Sequence, residues 1–304
     1  MANNFVCKIT TPKALELKAL FVASGWTIDQ PQYTNFRAKQ GKNSCSVYNS
    51  GKLLVVGKEF QQTVDNFVTL VIPVESPEKE IELELETFRP HAGIDESGKG
   101  DFFGPLVTAC VFVNESLLPK LKAIGVQDSK NIKNDKKVIQ IADEIKRLVG
   151  AKAYNVLTLR NEKYNELYSK FGNLNKLLAW CHATVLENVL ETSPSCEMAI
   201  SDQFAASKSV VLRALKPLGQ KIELIQMTKA ERDVAVAAAS ILARAEFVNQ
   251  MKTLSLQMKL STDLPKGASA RTKEVAKQIY QSGGEDLLRT CTKSHFKTFN
   301  ECCI

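Results

Sequence analysis

The sequence predicts an α/β protein in two parts, a small α+β module followed by a larger layered domain on a mixed sheet. Three observations predict it. The chain has 304 residues, about twice a typical domain. An acidic stretch, ESPEKEIELELE at 75–86, carries six Glu against one Lys and interrupts the chain. Before it short β-like runs follow each other closely, whereas from residue 90 strands alternate with longer helices. The expected division is a module at 1–74, an acidic linker and edge strand at 75–89, and a domain at 90–304 with a helical tail.

In the first part, Pro12 opens an amphipathic stretch through Val22 that Gly25 ends, which predicts a short helix. Three β-like runs follow, YTNFRAK at 33–39, SCSVYN at 44–49 and KLLVVGK at 52–58. The turn pieces QGKN and SG between them predict tight hairpin links. EFQQTVDNFVTL at 59–70 predicts a second helix. Arg37, Lys39, Lys42, Lys52 and Lys58 interleave with Tyr33, Phe36 and Tyr48 on these strands. That mixture suits sugar-phosphate contact, and it equally suits core aromatics with solvated lysines. In the linker Ile81, Leu83 and Leu85 alternate with Glu82, Glu84 and Glu86, the period of a strand with one wet face.

In the second part, HAGID at 91–95 and PLVTACVFV at 105–113 are apolar and β-branched, hence strands. VIQIADEIKRLVG at 138–150 is a helix that glycine stops, AKAYNVLTL is a strand, and NKLLAWCHATVLENVLE at 175–191 is a helix. EMAISDQF and QKIELIQM, ending at 204 and 227, carry two further strands. DVAVAAASILARAEFVNQMKTL is a long helix whose alanines let it pack close to a sheet.

Apolar residues at 44% and charged residues at 24% exclude a wholly disordered chain. No run of 18 apolar residues predicts a membrane span, and the first twenty residues lack the long uncharged core of a secretory signal. A soluble, cytoplasmic monomer without an obligate protein partner is the expectation. The eight cysteines form no CxxC pair, so they read as reduced and mostly buried rather than as a zinc site or disulfide framework. Net charge is +7, of which residues 1–74 carry +4 from eight Lys/Arg and four acids. That surplus permits a polyanionic partner without demanding one.

The chemistry concentrates in GIDESGKGDFFGPLV at 93–107. A strand delivers adjacent carboxylates, Asp95 and Glu96, into a glycine-rich loop. Successive strand residues point to opposite faces, so both acids share a site only at a strand end or bulge. Gly98, Gly100 and Gly104 let backbone amides approach a ligand closely. A phosphate-loop NTPase is excluded, because Lys99 is followed by Gly100 and Asp101 rather than Ser or Thr. Asp202 ends an apolar strand, and Glu231 and Asp233 stand at the entrance of the alanine-rich helix. Asp233 has an alternative role as helix N-cap. Four such acids suit hard divalent cations, two of which about 4 Å apart support in-line phosphoryl displacement. No His or Cys cluster offers a competing zinc site.

GIDESGKGDFFGPLV, DSK at 128–130, SDQF at 201–204 and TKAE…AVAAASILAR at 228–244 together resemble the bacterial type 2 ribonucleases H. The GKG loop followed by Asp101, the basic N-terminal module and KSHFK at 293–297 resemble the ribonuclease HIII branch. The resemblance covers residues 90–300 by motif and the first 75 by layout. It implies an RNase H-like catalytic domain preceded by a TATA-binding-protein-like substrate domain. It implies endonucleolytic cleavage of the RNA strand of RNA/DNA hybrids by a two-metal-ion mechanism with Mg²⁺ or Mn²⁺, giving 5′-phosphate and 3′-hydroxyl ends. Carried over by motif, Asp95, Glu96 and Asp202 are metal-binding catalytic acids and Glu231 is the fourth carboxylate, with Asp233 its rival. Gly98, Lys99 and Gly100 would read the ribose 2′-hydroxyl.

Lys130 reads equally as a phosphate contact or a surface lysine, and Lys39 and Lys52 are the substrate contacts expected of the first module. His182 and His295 read as packed or hydrogen-bonded structure before any acid–base role. Cleavage at single ribonucleotides in duplex DNA, as in the ribonuclease HII branch, is the alternative activity. A DNA-cutting two-metal enzyme and a catalytically dead hybrid binder are the other readings. Against the first stands the ribose-suited loop, and against the second the clustered acids, which a pure phosphate binder would not gain from.

Overall fold

The computed structural model describes residues 4–71, 88–127, 129–205, 207, 209–260 and 262–303. The chain divides into two compact units, Met1–Glu84 and Leu85–Ile304. The acidic stretch at 75–86 and Asp128 of the DSK motif lie outside the described residues.

The first unit is a five-stranded antiparallel sheet in the order β1-β5-β4-β3-β2. Its strands are β1 (Asn4–Lys8), β2 (Thr27–Asp29), β3 (Thr34–Gln40), β4 (Asn43–Tyr48) and β5 (Lys52–Val56). The two outermost, β1 and β2, were not among the three runs that alternation marks, because five and three residues are too short to display a period. Helix α1 (Thr11–Ala23) carries Pro12 in its first turn, as expected of a helix opened there. Helix α2 (Phe60–Thr63) continues through a π-wound stretch, Val64–Val68, into a last turn at Thr69–Val71.

Alternation in the strands separates two faces. Phe36, Ala38, Cys45, Val47, Leu53 and Val55 are buried against Leu17, Phe21 and Trp26. The intervening residues Arg37 and Lys39 face the other way, cross-strand from Ser46 and Ser44. Phe36 is therefore core and not part of a substrate face, while Tyr33 is 72% exposed.

The second unit holds a mixed sheet in the order β10-β9-β6-β7-β8. Its strands are β6 (His91–Ser97), β7 (Leu106–Val113), β8 (Tyr154–Leu159), β9 (Met198–Asp202) and β10 (Glu223–Met227). β6, β9 and β10 run parallel, and β7 is antiparallel to both its neighbours. Its longer helices are α3 (Leu118–Ala123), α4 (Asp135–Val149), α5 (Asn161–Phe171), α6 (Leu174–Thr192), α7 (Val234–Gln257), α8 (Ala270–Cys291) and α9 (Lys297–Cys302).

Every residue of β7 is buried, which explains its unbroken apolar run. Its Val107, Ala109, Val111 and Val113 pack with α4 and α7. Cys110 and Phe112, with Ala92 and Ile94 of β6, pack with α6 on the opposite face. The sheet is thus sandwiched, and its central strand β6 is covered on both sides. Gly93 shows how closely α7 approaches: a Cβ there would lie 2.1 Å from the Ala235 and Val236 backbone. Among the described residues no helix is long and apolar enough to cross a membrane.

Candidate active site

The parallel pairing of β6 and β9 sets Ile94 beside Ser201. One residue further on, Asp95 and Asp202 leave adjacent strands at the same sheet edge, the carboxyl ends where α/β sheets place their ligands. Pleating sends Asp95 to the α7 face, with Gly93, and Glu96 to the α6 face, with Ile94. Because the pairing of β6 with β9 stops at Ile94, Asp95, Glu96 and Asp202 nevertheless line one cavity of about 420 Å³. Ser97, Lys99, Asp101, Ser129, Lys130, Ser240, Arg244, Phe247 and Lys266 complete its wall.

Different neighbours hold the paired acids. Glu96 is buried, which alone would push its pKa up, but His182 and then Lys99 outweigh burial and leave it below the usual value. His182 Nε2 lies 2.9 Å from Glu96 Oε2, and Lys99 Nζ 3.7 Å from Oε1. His182 is wholly buried on α6, its ring edge-on to Phe204 at 4.8 Å, and Lys99 stands over the same Phe204 ring. Asp95 goes the opposite way. Burial and then the Glu96 charge push it up to about 7, against hydrogen bonds from Ser240 and from the Glu96 amide. On the far wall Ser240 meets Ser129 at 2.7 Å, Arg244 bonds the Ser129 carbonyl, and Arg244 and Lys266 share Asp135 at 3.0 and 2.8 Å.

The glycine loop turns sharply off β6. Gly98 has φ +89°, and a Cβ on it would meet the Pro105 carbonyl at 2.3 Å and the Phe247 ring at 2.9 Å. A side chain is excluded there by conformation and by space. Gly100 differs, since nothing lies within 4 Å of a Cβ built on it. Its smallness leaves open room beside the cavity.

Not all the sequence-derived acids gather. Glu231 sits in the 3₁₀ turn Ala230–Arg232 and lines a separate depression with Val126, Gln127, Asn131, Lys229 and Arg232. That turn abuts the carboxylates through Ala230, whose amide is 3.5 Å from Asp202 Oδ1. Asp233 caps α7, accepting from the Ala235 and Val236 amides, and its other oxygen bonds His91 Nε2 at 2.8 Å. Both its oxygens are thereby engaged in structure. Lys130 stands on the turn Ser129–Asn131 at the rim of the carboxylate cavity. Lys39 and Lys52 belong to the first unit, on its sheet, and Lys39 lies 3.2 Å from Asp29.

Sequence reasoning placed His182 as structure and did not connect it to Glu96. It also missed Ser240, Arg244 and Lys266 in the wall. AAASILAR contains the first two at a spacing of four, one helical turn, which was the available signal.

The donor set fits a hard divalent cation. Three carboxylates with room for water and phosphate oxygens make an open half-site of the kind Mg²⁺ or Mn²⁺ takes. Among the described residues no three of His, Cys, Asp and Glu stand close enough together to hold a metal ion by themselves, so water and phosphate oxygens would have to complete its shell. Asp95, Glu96 and Asp202 are the residues that would hold the ion.

Comparison with known proteins gives consistent results. Residues 92–299 match the family model described as Ribonuclease HII, and residues 4–78 one described as Domain of unknown function (DUF3378). The chain is 45% identical over 305 residues to the ribonuclease HIII of Chlamydia felis, covering 100% of this chain and 98% of that protein. It is 43% identical to that of Chlamydia pneumoniae, covering 100% and 99%. Among solved structures it is similar to Bst-RNase HIII in complex with Mn²⁺, with TM-score 0.66, 30% identity and coverage of 98% and 97%. The RNase HII of Archaeoglobus fulgidus, solved in complex with PCNA, aligns with TM-score 0.53 and 30% identity over 64% of this chain and 88% of that one.

Proposed function

This chain belongs to the ribonuclease HII family, and from that premise we propose that it is an endoribonuclease cutting the RNA strand of RNA/DNA hybrids, leaving 5′-phosphate and 3′-hydroxyl ends. One observation carries the reading: the strand that carries Asp95 and Glu96 near its end runs directly into a glycine loop on the same cavity as Asp202. Acids for metal and a backbone for ribose are thereby set side by side.

Two bound divalent cations, Mg²⁺ or Mn²⁺, would supply Lewis-acid activation of the attacking water and stabilisation of the leaving 3′ oxygen. Asp95, Glu96 and Asp202 would hold them, and Glu231, on the turn that abuts Asp202, would be the fourth carboxylate. His182 keeps Glu96 aimed, its Nε2 fixed by the buried ring. Gly98, Lys99 and Gly100 present backbone to the ribose 2′-hydroxyl, the group that separates RNA from DNA. Lys130 meets a phosphate at the rim. The sheet face bearing Arg37, Lys39 and Lys52 grips the hybrid backbone as a substrate-binding domain over residues 1–74. The protein acts in the cytoplasm as a monomer, a reading its eight free thiols suit.

A panel of four substrates tests this: RNA/DNA hybrid, duplex RNA, duplex DNA, and duplex DNA with one ribonucleotide, each with Mg²⁺ or Mn²⁺. Hybrid should be cut and duplex DNA left intact; cutting of plain DNA would overturn the reading. The family model's description as Ribonuclease HII favours one second reading, incision at single embedded ribonucleotides. Faster cutting of the single-ribonucleotide duplex than of the hybrid would establish it instead.

A further inference from the structure

Lys293 is wholly buried, yet the site as described makes no use of it. Its Nζ donates to two backbone carbonyls, Asp101 at 2.8 Å and Gly104 at 2.6 Å, and lies 5.5 Å from the centre of the Tyr164 ring. Burying an ammonium among carbonyls rather than carboxylates is costly, and burial pushes its pKa down to about 7. A methionine or leucine would fill the same space without that cost. The two carbonyls are the ones that shape the glycine loop.

Asp101 closes the loop's tip, its amide donating to the Gly98 carbonyl at 3.3 Å. The Asp101 carboxylate takes the Gly267 amide at 2.6 Å, so Lys293 and Gly267 grip this residue from its two ends. Gly104 ends the loop at φ +80°, where a Cβ would strike Met251 Sδ at 2.4 Å. Its carbonyl also receives Asn161 Nδ2 at 2.9 Å. Backbone bonds from Lys293 to Phe102 and from Gly104 to Cys291, 2.9 and 3.0 Å, zip the C-terminal segment along the return arm. One buried amine thus spans both ends of Asp101–Gly104 and, through Asp101, fixes the turn at Gly98–Gly100.

We propose that Lys293 is the positioning residue that sets the glycine loop and thereby the enzyme's discrimination of ribose from deoxyribose. The inference rests on the reading that this loop faces the 2′-hydroxyl. Lys293 touches no substrate; it acts through the two carbonyls, and its loss lets the turn at Gly98–Gly100 drift from the hydroxyl it reads.

The test is a cycle between the side chain and the hydroxyl. Wild type and Lys293→Met are compared on hybrids whose RNA strand carries one 2′-deoxy position, walked a nucleotide at a time. At the position the loop reads, wild type should lose about tenfold or more in kcat/KM when the hydroxyl is removed. Lys293→Met should lose less than about threefold there, while cutting the all-ribose hybrid more slowly. Equal losses in both proteins would overturn the proposal and leave Lys293 a purely structural residue. Should Lys293→Met fail to fold, Asn161→Leu removes a donor from the same Gly104 carbonyl and decides on the same comparison: a shrunken penalty supports the loop mechanism and an unchanged one overturns it. Failure of wild type to cut any hybrid would sink the functional reading itself, a result distinct from either.

Discussion

Asp95 and Glu96 are neighbours in sequence yet are governed from opposite faces of the sheet, one by Ser240 on α7 and the other by His182 on α6. Neutralising Asp95 removes a crowded charge, so Asp95→Asn should cut turnover roughly 10³-fold or more while the thermal midpoint holds or rises. Steady-state kinetics beside calorimetry checks this, and a collapsed midpoint would make the residue structural. Glu231 and Asp233 separate in the same way. Asn caps a helix as well as Asp does, so Asp233→Asn should leave turnover within a fewfold. It forfeits the charge facing His91, a buried group whose pKa Asp233 raises above the usual value against the pull of burial. A raised histidine pKa stabilises at low pH and loses that stabilisation as pH rises through it, so the deficit should be largest in acid. Glu231→Gln should instead lower turnover by about tenfold or more with stability unchanged; full activity would remove it from the site. The acids were legible as residue types at strand ends. Their second partners were not, since His182 reaches Glu96 across 86 residues of chain and Lys293 reaches Asp101 across 192.

Elements were legible where a period had room to show. β7, α4, α6 and α7 stand where apolar spacing put them, and Gly150 and Asp233 mark the ends that capping chemistry predicts. β1 and β2 were not, because pairing with a neighbour makes a short strand and the partner is remote in sequence. The extended segment through Phe103 and Thr292 is the same case at its limit, a single bridge. Its Lys293 gives the element a measurable signature. The unfolded lysine titrates near 10.4, the folded one near 7, so between these values the unfolded chain binds more protons and stability rises with pH. Asp101 in the loop favours its charged form, while Tyr164 on α5 and His295 beyond it, stacked on Tyr168, are the other titratable groups around it. Buried thiols pushed up to about 12, at Cys45, Cys181 and Cys291, pull stability the other way above the ordinary thiol range. The expected outcome is therefore a difference: from pH 7 to 9 wild type gains stability relative to Lys293→Met in denaturant titrations. Parallel curves would mean that Lys293 does not lose its proton in that range.

At the scale of the whole molecule, a net +7 conceals two unlike parts, with +4 in the first 74 residues and +3 in the remaining 230. Carboxylates that hold cations offset the charge a phosphate backbone would favour, so the catalytic unit cannot also be strongly basic. The first unit has no such constraint. Its sheet turns Phe36 and Val47 inward and leaves Arg37 and Lys39 outward on β3, with Lys52 exposed at the start of β5. Asp29 draws on Arg37 at 2.6 Å and Lys39 at 3.2 Å, so those two deliver less than two free charges. Each lysine that meets a phosphate releases counterions and steepens the salt dependence of binding by about one unit. The double substitution Lys39→Ala, Lys52→Ala in the full chain should then weaken hybrid binding and flatten its salt slope by up to about two units. At saturating hybrid, kcat should stay unchanged, because the carboxylate cavity is built wholly within the second unit. Binding titrations from low to moderate salt decide it: an unaltered slope would give the basic sheet some other task, and a fallen kcat at saturation would give these lysines a part in the cutting step.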